Sequence, residues 1–421
     1  MRQIVDWHIH SKYSRACSRD LELPNIAKMC ERKGIDIVTT GDWTHPEWIK
    51  HIEENLEETA QGIYKLGDNT SKTRFMLTQE VSQIYKKGEK CRRIHNLLFS
   101  PSVETCKKVN KWLTDHDFNL KSDGRPILGI DSEDLYRELK NIDEKIILVP
   151  AHAWTPWYSV FGSKSGFDSL EECFGEMTPY IYAIETGLSS DVLMNWQLSA
   201  LDNVVLISNS DAHSCRKLGR EANVFEMAEE DISYDEFVRI LKEKDQSKFK
   251  YTIEFYPEEG KYHYDGCSNC KFSCHPKESK KHDYRCPTCK KKMTLGVHHR
   301  VDALSDRDAE SVRERKIPYK YIVPLAEIIA EAYGLKSSTG KKVMAEYTAL
   351  TDNLDNEFAV LLDQPIEAIA KHCHNQNIPE AIRRMRAGEM NIAPGYDGEF
   401  GVVKIFGEGE RVDVPKQRKL I

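Results

Sequence analysis

Histidines and carboxylates follow short apolar segments throughout the first half of the sequence. In the first segment, residues 4–10, His8 and His10 are two positions apart, so in a strand their side chains point to the same face. The same residue types recur at or near the ends of later segments: Asp42, His45, Glu80, His95, His152, Glu185, Asp211 and His213. Burying so many titratable groups together is costly unless cations compensate them. The pattern predicts a hydrolytic site with two or three divalent ions, Zn²⁺, Mn²⁺ or Mg²⁺, and every residue named here except Glu185 is a predicted ligand.

These residues need a scaffold that brings strand ends together. The sequence up to about residue 250 alternates apolar runs with amphipathic stretches, which predicts repeated β-α units. Seven strands are predicted at 4–10, 35–40, 74–78, 94–99, 146–150, 182–186 and 204–208, and helices at 23–33, 46–65, 103–116, 132–141, 170–177 and 191–201. No Gly-x-Gly-x-x-Gly follows the first strand, which excludes a dinucleotide-binding sheet. The α/β pattern favours a seven-stranded barrel, in which chemistry lies at the C-terminal strand ends.

Two cysteine pairs form a second metal-binding pattern. Cys267 and Cys270 are separated by fifteen residues from Cys286 and Cys289. This is the spacing of a four-cysteine site, in which each pair forms a tight turn and four thiolates surround a structural Zn²⁺. Cys274 and His275 lie between the pairs and are predicted to be bystanders.

The charge of the chain is divided unevenly. The formal net charge is −7, but residues 267–300 contain nine Lys and Arg against two acidic residues, so this window is +7 and the remainder −14. Such a separation suits an appendage that contacts a polyanion, with Lys281 and Lys291 as candidate phosphate contacts. The alternative is a structural zinc module with a solvated, lysine-rich surface.

An aromatic stretch follows His152. Trp154, Trp157 and Phe161 lie close to Lys164 among serines and glycines, which suggests a wall that stacks on a nucleobase while the lysine contacts phosphate. The alternative is a plug that packs locally. Arg216 adds a cation after His213, although an enzyme acting on a small phosphorylated metabolite would use the same charges.

The C-terminal part is predicted to be helical, at residues 322–333, 343–353, 357–362, 365–373 and 379–387, with a turn-rich segment at 392–406. Residues 334–342 differ from a nucleotide phosphate loop in spacing and context, but Lys341 at the following helix start is a candidate DNA contact. The final residues 417–421 begin like a sliding-clamp-binding motif without its aromatic pair, so a clamp is a weakly supported partner and chance the competing interpretation.

Composition limits the class of protein. No apolar run approaches the roughly 20 residues of a membrane span, and the N-terminus has no signal region. Twelve cysteines without a signal region indicate reduced thiols and metal ligation. We therefore expect a cytoplasmic globular protein with three parts: a barrel at 1–257, a zinc module at 258–300 and a helical DNA-binding region at 301–421.

The order of the ligands resembles the PHP (polymerase and histidinol phosphatase) superfamily. The matching residues are His8, His10, Asp42, Glu80, His95, His152, Asp211 and His213. The resemblance implies a seven-stranded barrel whose trinuclear metal centre cleaves phosphoesters. In the usual second motif a histidine follows the aspartate, whereas here Trp43 does. Either His45 supplies the missing imidazole or that metal position is altered.

The ligand chemistry suggests catalytic roles. Metal ions activate water for in-line attack on phosphorus, so no serine or cysteine nucleophile is needed. Asp211 is the predicted acceptor of the water proton, and His213 or His152 the predicted donor to the leaving group.

With the zinc insert and the helical region, which contains Ile317-Pro318-Tyr319, the chain is similar to the endonuclease Q family along nearly its whole length. The resemblance implies a DNA repair enzyme that nicks 5′ to uracil, hypoxanthine, xanthine or an abasic site and leaves a 3′-hydroxyl and a 5′-phosphate. Base flipping explains how one pocket accepts several lesions. Two alternatives remain: a phosphomonoesterase of histidinol-phosphatase type, and a DNA-binding scaffold whose barrel has lost activity.

Overall fold

A mixed α/β fold surrounds the predicted ligands. The structure, a computed structural model, describes residues 1–411. Its strands are β1 Arg2–Asp6, β2 Ile37–Thr39, β3 Leu56–Ala60, β4 Ile63–Leu66, β5 Arg74–Lys87, β6 Lys90–Ser100, β7 Ile127–Leu128, β8 Ile147–Pro150, β9 Ala183–Glu185, β10 Val205–Ile207, β11 Ala222–Glu226, β12 Phe249–Glu254, β13 Asp265–Cys267, β14 Phe272–Cys274, β15 Tyr319–Tyr321, β16 Asn391–Ala393 and β17 Val402–Lys404.

The α-helices flank these strands in the first half of the chain and dominate the last third. They are α1 Leu23–Lys33, α2 Pro46–Asn55, α3 Val103–Asp115, α4 Ser132–Ile142, α5 Leu170–Phe174, α6 Val192–Trp196, α7 Tyr234–Glu243, α8 Pro276–Lys281, α9 Val297–Leu304, α10 Leu325–Ala332, α11 Lys341–Asn353, α12 Ile366–His372 and α13 Asn377–Ala387. None of the helices in residues 1–411 combines the length and the apolar character that crossing a membrane requires.

The large sheet places the ends of three parallel strands side by side. Its order is β15-β12-β11-β1-β2-β5-β4-β3, with β6 and β7 also paired to β5, and β8 paired to β6. Strands β1, β2 and β5 are parallel, whereas β11 is antiparallel to β1. Strands β9 and β10 form a separate parallel pair. Each of the seven predicted segments thus contains a strand, and β1 and β2 are almost wholly buried because both faces of the sheet are covered.

Several segments differ from the sequence prediction, and the predicted helices 170–177 and 191–201 are shortened to Leu170–Phe174 and Val192–Trp196. The first strand ends at Asp6, four residues early, because its ladder pairing stops there and Ile9 makes only an isolated bridge to Ala212. The third strand runs to Lys87 and pairs with β6 in a long antiparallel hairpin, with no helix between them. The predicted helix at 46–65 ends at Asn55, and the remainder forms the β3–β4 hairpin, whose turn contains Gly62 at φ 67°.

The C-terminal helices form where the pattern predicts them, except that residues 357–362 lead into a π-helical turn at Ala359–Asp363. A buried ion pair joins this region to α1: Lys33 Nζ lies 2.8 Å from Glu357 Oε2. Glu357 also accepts from Tyr347 Oη at 2.8 Å and from the Leu325 backbone N–H. Because a buried charge is tolerated only when paired and hydrogen-bonded, this network fixes the helical region against the first half of the chain. The clamp-like residues 417–421 lie outside the described residues.

Candidate metal centre

Two sets of side chains converge where β1, β5, β6 and β8 approach one another. In the first set, one potential ligand atom from each of His8, His10, Glu80 and Asp211 lies within 4.8 Å of the others. In the second set, Glu80, His95 and His152 meet the same criterion. Glu80 therefore belongs to both sets. It occupies the middle of the long strand β5, directly across the hairpin from the segment that carries His95.

The backbone is strained at three of the predicted ligand positions. Asp42, His152 and Asp211 have positive φ angles of 46°, 30° and 46°. Non-glycine residues rarely adopt this left-handed conformation, and surrounding contacts must enforce it. At His152 the chain passes so close to Gly187 that a Cβ atom there would lie 2.5 Å from His152 Cβ. These turns direct side chains from loop positions into the site.

Buried carboxylates orient the first two histidines. Glu185 lies 3.0 Å from Nδ1 of His8, and Asp42 lies 3.1 Å from Nδ1 of His10. A carboxylate that accepts from Nδ1–H fixes the ring and leaves the lone pair of Nε2 available to a metal. Asp42 itself is held by the backbone N–H and hydroxyl of Ser11, at 2.6 and 2.7 Å. The rings of His8 and His10 are thus directed towards Glu80 and Asp211.

The charges around His10 call for a cation. Its Nε2 lies 3.1 Å from Asp211 Oδ1 and 3.2 Å from Glu80 Oε2, and its Nδ1 lies 3.1 Å from Asp42 Oδ1. A neutral imidazole has a single N–H, so carboxylates on both nitrogens require a protonated ring or a metal ion. Burial alone lowers the pKa of His10, but Asp42 and then Asp211 outweigh it and raise the pKa well above its ordinary value.

His8 supplies an independent observation. Its Nε2 is buried, has no hydrogen-bond partner within residues 1–411, and lies 3.6 Å from both Glu80 Oε2 and Asp211 Oδ1. Burying a polar atom without a partner is costly, and a divalent ion bound between these groups satisfies it. The residues present therefore fit divalent metal ions.

The two imidazoles of the second set differ, because the hydrogen bond and the charge of Glu80 outweigh burial and raise the pKa of His152. Burial lowers the pKa of His95 to about 4. Ser82 Oγ lies 3.1 Å from its Nε2, and Nδ1 lies 2.6 Å from Glu80 Oε1. His152 Nε2 is 3.0 Å from the same Glu80 oxygen, and the His152 backbone N–H donates to Glu185. A neutral ring with one nitrogen held by a hydroxyl presents the other as a ligand.

Three predicted ligands lie outside the two sets. Asp42 reaches the site through His10, as described above. His213 is adjacent, with its ring 4.6 Å from that of His10 and Nδ1 3.5 Å from Asp211 Oδ1. His45 precedes α2, stacks on Tyr13 at 4.2 Å, and its buried Nδ1 has no hydrogen-bond partner in the part of the chain that the structure describes.

Arg125 is a site residue that the sequence pattern did not single out. Its Nη1 donates to Glu80 Oε2 at 2.9 Å from a loop between α3 and β7. Arg125 belongs to none of the predicted strands, so its position in the sequence gave no signal of a site residue. The orienting role of Glu185 was also missed, although its place at the end of β9 was a signal.

The four predicted zinc ligands come together. One Sγ from each of Cys267, Cys270, Cys286 and Cys289 lies within 4.8 Å of the others. Cys274 is buried beside this cluster but does not belong to it. Four thiols at this separation suit tetrahedral Zn²⁺. Asp397 fastens the module to the C-terminal segment by accepting from the backbone N–H and hydroxyl of Ser268, at 2.7 and 2.8 Å.

Replacing Cys289 with serine is expected to remove one equivalent of zinc per chain and to lower the unfolding temperature, because a small metal module gains folding free energy from its ion. Elemental analysis and thermal unfolding measure both effects. Cys274→Ser is the matched control and is expected to retain the zinc. Unchanged zinc content in Cys289→Ser would contradict the assignment.

Two of the three aromatic residues predicted to stack on a nucleobase are buried. Trp154 and Phe161 are each only 1% exposed, and their rings pack together at 4.8 Å. The indole N–H of Trp154 donates to Asn195 at 2.8 Å. These two rings form a local plug and present no face to a nucleobase, because the loop folds back to bury them. Trp157 is 45% exposed and Lys164 is also at the surface.

The predicted cationic contacts are all accessible: Arg216, Lys281, Lys291 and Lys341 are exposed. Lys281 ends α8 and Lys341 begins α11. Their exposure is compatible with binding a polyanion and equally with a solvated surface.

Two crystal structures are similar to this chain along nearly its whole length. The crystal structure of the lesion-specific endonuclease PfuEndoQ from Pyrococcus furiosus matches at a TM-score of 0.83 and 31% identity, over 96% of this chain and 95% of that one. An endonuclease Q complex with a 27-mer duplex substrate carrying an abasic lesion at the active site matches at a TM-score of 0.82 and 32% identity, over 97% and 98%. The chain belongs to the endonuclease Q family.

Other matches agree with this membership. Residues 324–389 of this endonuclease Q family member match the family described as the MJ0043 C-terminal domain. The uncharacterized protein MJ0043 of Methanocaldococcus jannaschii is 33% identical over 254 residues, which is 60% of this chain but only 31% of that protein. The uncharacterized protein YqxK of Bacillus subtilis is 28% identical over 390 residues, 90% of this chain and 91% of that protein.

Proposed function

We propose that this protein is a metal-dependent DNA repair endonuclease. It hydrolyses the phosphodiester 5′ to deaminated bases (uracil, hypoxanthine, xanthine) and abasic sites, and leaves a 3′-hydroxyl and a 5′-phosphate. The observation that carries the proposal is the shared position of Glu80 in two ligand sets, within a chain of the endonuclease Q family. Two ligand sets that share a carboxylate suit the sites with two metal ions that cleave phosphodiesters.

The ligand sets assign roles to the chain's own residues. On a PHP-type barrel, His8, His10, Glu80 and Asp211 would hold one ion, and Glu80, His95 and His152 would hold a second, which the two ligand sets support. When bound, these ions supply an activated water and neutralise charge on the phosphate. Asp211, which is partly exposed, accepts the proton of the attacking water. His213 or His152 donates a proton to the leaving oxygen.

His45 keeps two alternatives open in this proposal. Its ring is stacked on Tyr13 and its Nδ1 is buried without a partner in the described residues. It replaces the imidazole that Trp43 displaces if a third ion binds beside Asp42. Otherwise that third position is altered in this chain.

Three parts of the chain have different roles in this proposal. Residues 1–257 carry the metal centre, residues 258–300 the zinc module, and residues 301–421 a helical DNA-binding region. The related complex contains a duplex substrate with an abasic lesion at its active site, which supports DNA as the partner here. Extruding a damaged nucleotide costs less than extruding a paired one, so flipping favours lesions.

The cations of the zinc module give the proposal a salt-dependent signature. Each phosphate contact contributes about 0.9 to the slope of log affinity against log salt. The double variant Lys281→Gln/Lys291→Gln is therefore expected to lower the slope by up to about 1.8. Fluorescence anisotropy with a labelled lesion duplex at several salt concentrations measures the slope.

The control is Lys108→Gln/Lys145→Gln, which neutralises two lysines outside the module and is expected to leave the slope unchanged. If the module variant gives the same slope as the control, its lysines are part of a solvated surface and not of the DNA footprint.

Product analysis tests the proposed function. A duplex labelled on one strand and carrying a single deoxyinosine or abasic site is incubated with Mg²⁺, Mn²⁺ or Zn²⁺. We expect one product that ends 5′ to the lesion with a 3′-hydroxyl, which a polymerase extends. Release of phosphate from a small phosphomonoester without any nick would support a phosphomonoesterase. Binding without any hydrolysis would support a DNA-binding scaffold.

A further inference from the structure

The loop that carries Arg125 is fixed in place from several sides. The backbone carbonyl of Gly124 accepts from Gln79 Nε2 at 2.8 Å, and the Gly124 N–H donates to Tyr13 O at 3.0 Å. Next to it, Pro126 O accepts from the Ser82 N–H of β5 at 2.9 Å. Hydrogen bonds to β5 on both sides of Arg125 hold its backbone against the strand that carries Glu80. Arg125 is therefore not part of an unconstrained surface loop.

Gly124 makes this close approach possible. A Cβ atom at this position would lie 2.4 Å from Asp42 Oδ2 and 2.5 Å from Ser14 Oγ. Only glycine allows the loop to approach the carboxylate that orients His10 so closely. The geometry of the loop is thus coupled to the metal centre itself.

The guanidinium of Arg125 lies between the buried ligands and solvent. Its side chain is 23% exposed, whereas that of Glu80 is 0% exposed. Its only side-chain hydrogen bond found in residues 1–411 is the one from Nη1 to Glu80. A guanidinium has five N–H donors in a rigid fork, so further donors are available on the exposed side.

Metal binding changes the partner that Arg125 needs. Glu80 is the carboxylate common to both ligand sets, so it would be shared between Arg125 and the ions when these bind. Arg125 then remains as a permanent cation beside divalent cations, which is unfavourable unless an anion is shared between them. A phosphodiester that reaches the ions supplies that anion.

We propose that Arg125 binds a non-bridging oxygen of the phosphodiester that is hydrolysed, and so acts as a catalytic residue. This inference rests on the proposed function. Negative charge on the non-bridging oxygens must be stabilised throughout the attack, and a fixed donor aimed at it costs no reorganisation. Removing one such donor costs roughly 10²–10³ in kcat. We expect Arg125→Ala to lower kcat by about this factor, with a smaller change in KM.

A chemical change in the substrate isolates the contact. In a lesion duplex with a methylphosphonate 5′ to the lesion, one non-bridging oxygen is replaced by a neutral methyl group. Binding of this duplex and of the native duplex is compared by anisotropy in the Asp211→Asn background, with and without Arg125→Ala. The methylphosphonate penalty is expected to be at least about tenfold smaller when Arg125 is absent, as for a lost charge-assisted hydrogen bond.

Controls separate this role from support of Glu80. Arg137→Ala, an exposed arginine on α4 that pairs with Glu133, is expected to retain the full penalty. Metal content measured in parallel is expected to be equal with and without Arg125. An unchanged penalty together with lower metal content would overturn the proposal and make Arg125 a positioning residue for Glu80.

The two proposals fail in different ways. If the wild-type protein does not nick the lesion duplex, the proposed function is wrong whatever Arg125 does. If the wild-type protein nicks it and the methylphosphonate penalty does not depend on Arg125, only the inference about Arg125 is wrong.

Discussion

Replacing Glu80 with glutamine is expected to lower the rate of lesion cleavage at least about a thousandfold. The Glu80 carboxylate belongs to both ligand sets, so the variant is expected to weaken the binding of two ions at once. Metal ions contribute several kcal/mol of charge stabilisation in phosphoryl chemistry, and a loss of about 4 kcal/mol corresponds to a thousandfold. Cleavage of a labelled lesion duplex and elemental analysis measure the rate and the number of bound ions.

Glu89→Gln is the matched control for this variant. It makes the same chemical change at an exposed position in the turn of the same β5–β6 hairpin, and we expect the wild-type rate and metal content. Circular dichroism and thermal unfolding establish that both variants are folded. A Glu80→Gln protein that retained its metal ions and cleaved within a few-fold of the wild type would contradict the shared-ligand assignment.

Replacing Asp42 with asparagine is expected to lower metal affinity or activity by about 10–100-fold. The Asp42 carboxylate accepts from His10 Nδ1 on one oxygen and from Ser11 on the other. An amide is neutral, so it polarises the His10 ring less. The amide also has an N–H donor on one side. This donor would face either the His10 N–H or the two donors of Ser11, where an acceptor is needed.

Asp117→Asn is a suitable control because it preserves the backbone requirement. Asp117 has φ 60°, close to the 46° of Asp42, and it is exposed on the surface. Asparagine tolerates the left-handed region, so strain alone would affect both variants alike. Equal metal affinities for Asp42→Asn and the wild type, measured by competition with a chelator, would show that orientation of His10 does not depend on the negative charge.

Most ligands of the candidate site could be predicted from sequence because they lie directly after apolar strands, and Glu80 and His95 lie within strands. His8, His10, Glu80, His95, His152 and Asp211 all occupy the two sets that meet in space. Residue type and position after a strand were sufficient for His8, His10, His152 and Asp211, whereas Glu80 and His95 meet through the antiparallel β5–β6 hairpin. The four zinc cysteines were predictable for a different reason, namely that their spacing is local and nearly independent of the fold.

The orientation of the site's side chains could not be predicted from the sequence in the same way. Asp42 and His10 are 32 residues apart in the chain, and whether a carboxylate binds a metal or orients a ligand depends on where its oxygens point. Arg125 reaches the site from a loop whose path depends on contacts with β5 and on the lack of a side chain at Gly124. Trp154 and Phe161 have the composition of a recognition loop, but burial of apolar area decides their position.

The fold was predictable where periodicity is local. Helix α1 has the predicted bounds, since its apolar stripe is regular and Gly34 ends it at φ 85°. The segment at 56–65 was predicted as helix from polar residues of high helix propensity, but pairing of β3 with β4 overrides that preference. The length of β5 also depends on a partner strand, because the alternation after Thr78 is stabilised only once β6 is beside it.

The central claim is that one metal centre acts on damaged DNA. The most direct measurement compares two duplexes of identical sequence, one with a single deoxyuridine and one undamaged, cleaved by the wild-type protein under the same metal conditions. We expect a nick 5′ to the deoxyuridine and an intact undamaged duplex over the same time. Equal cleavage of both duplexes would contradict the account.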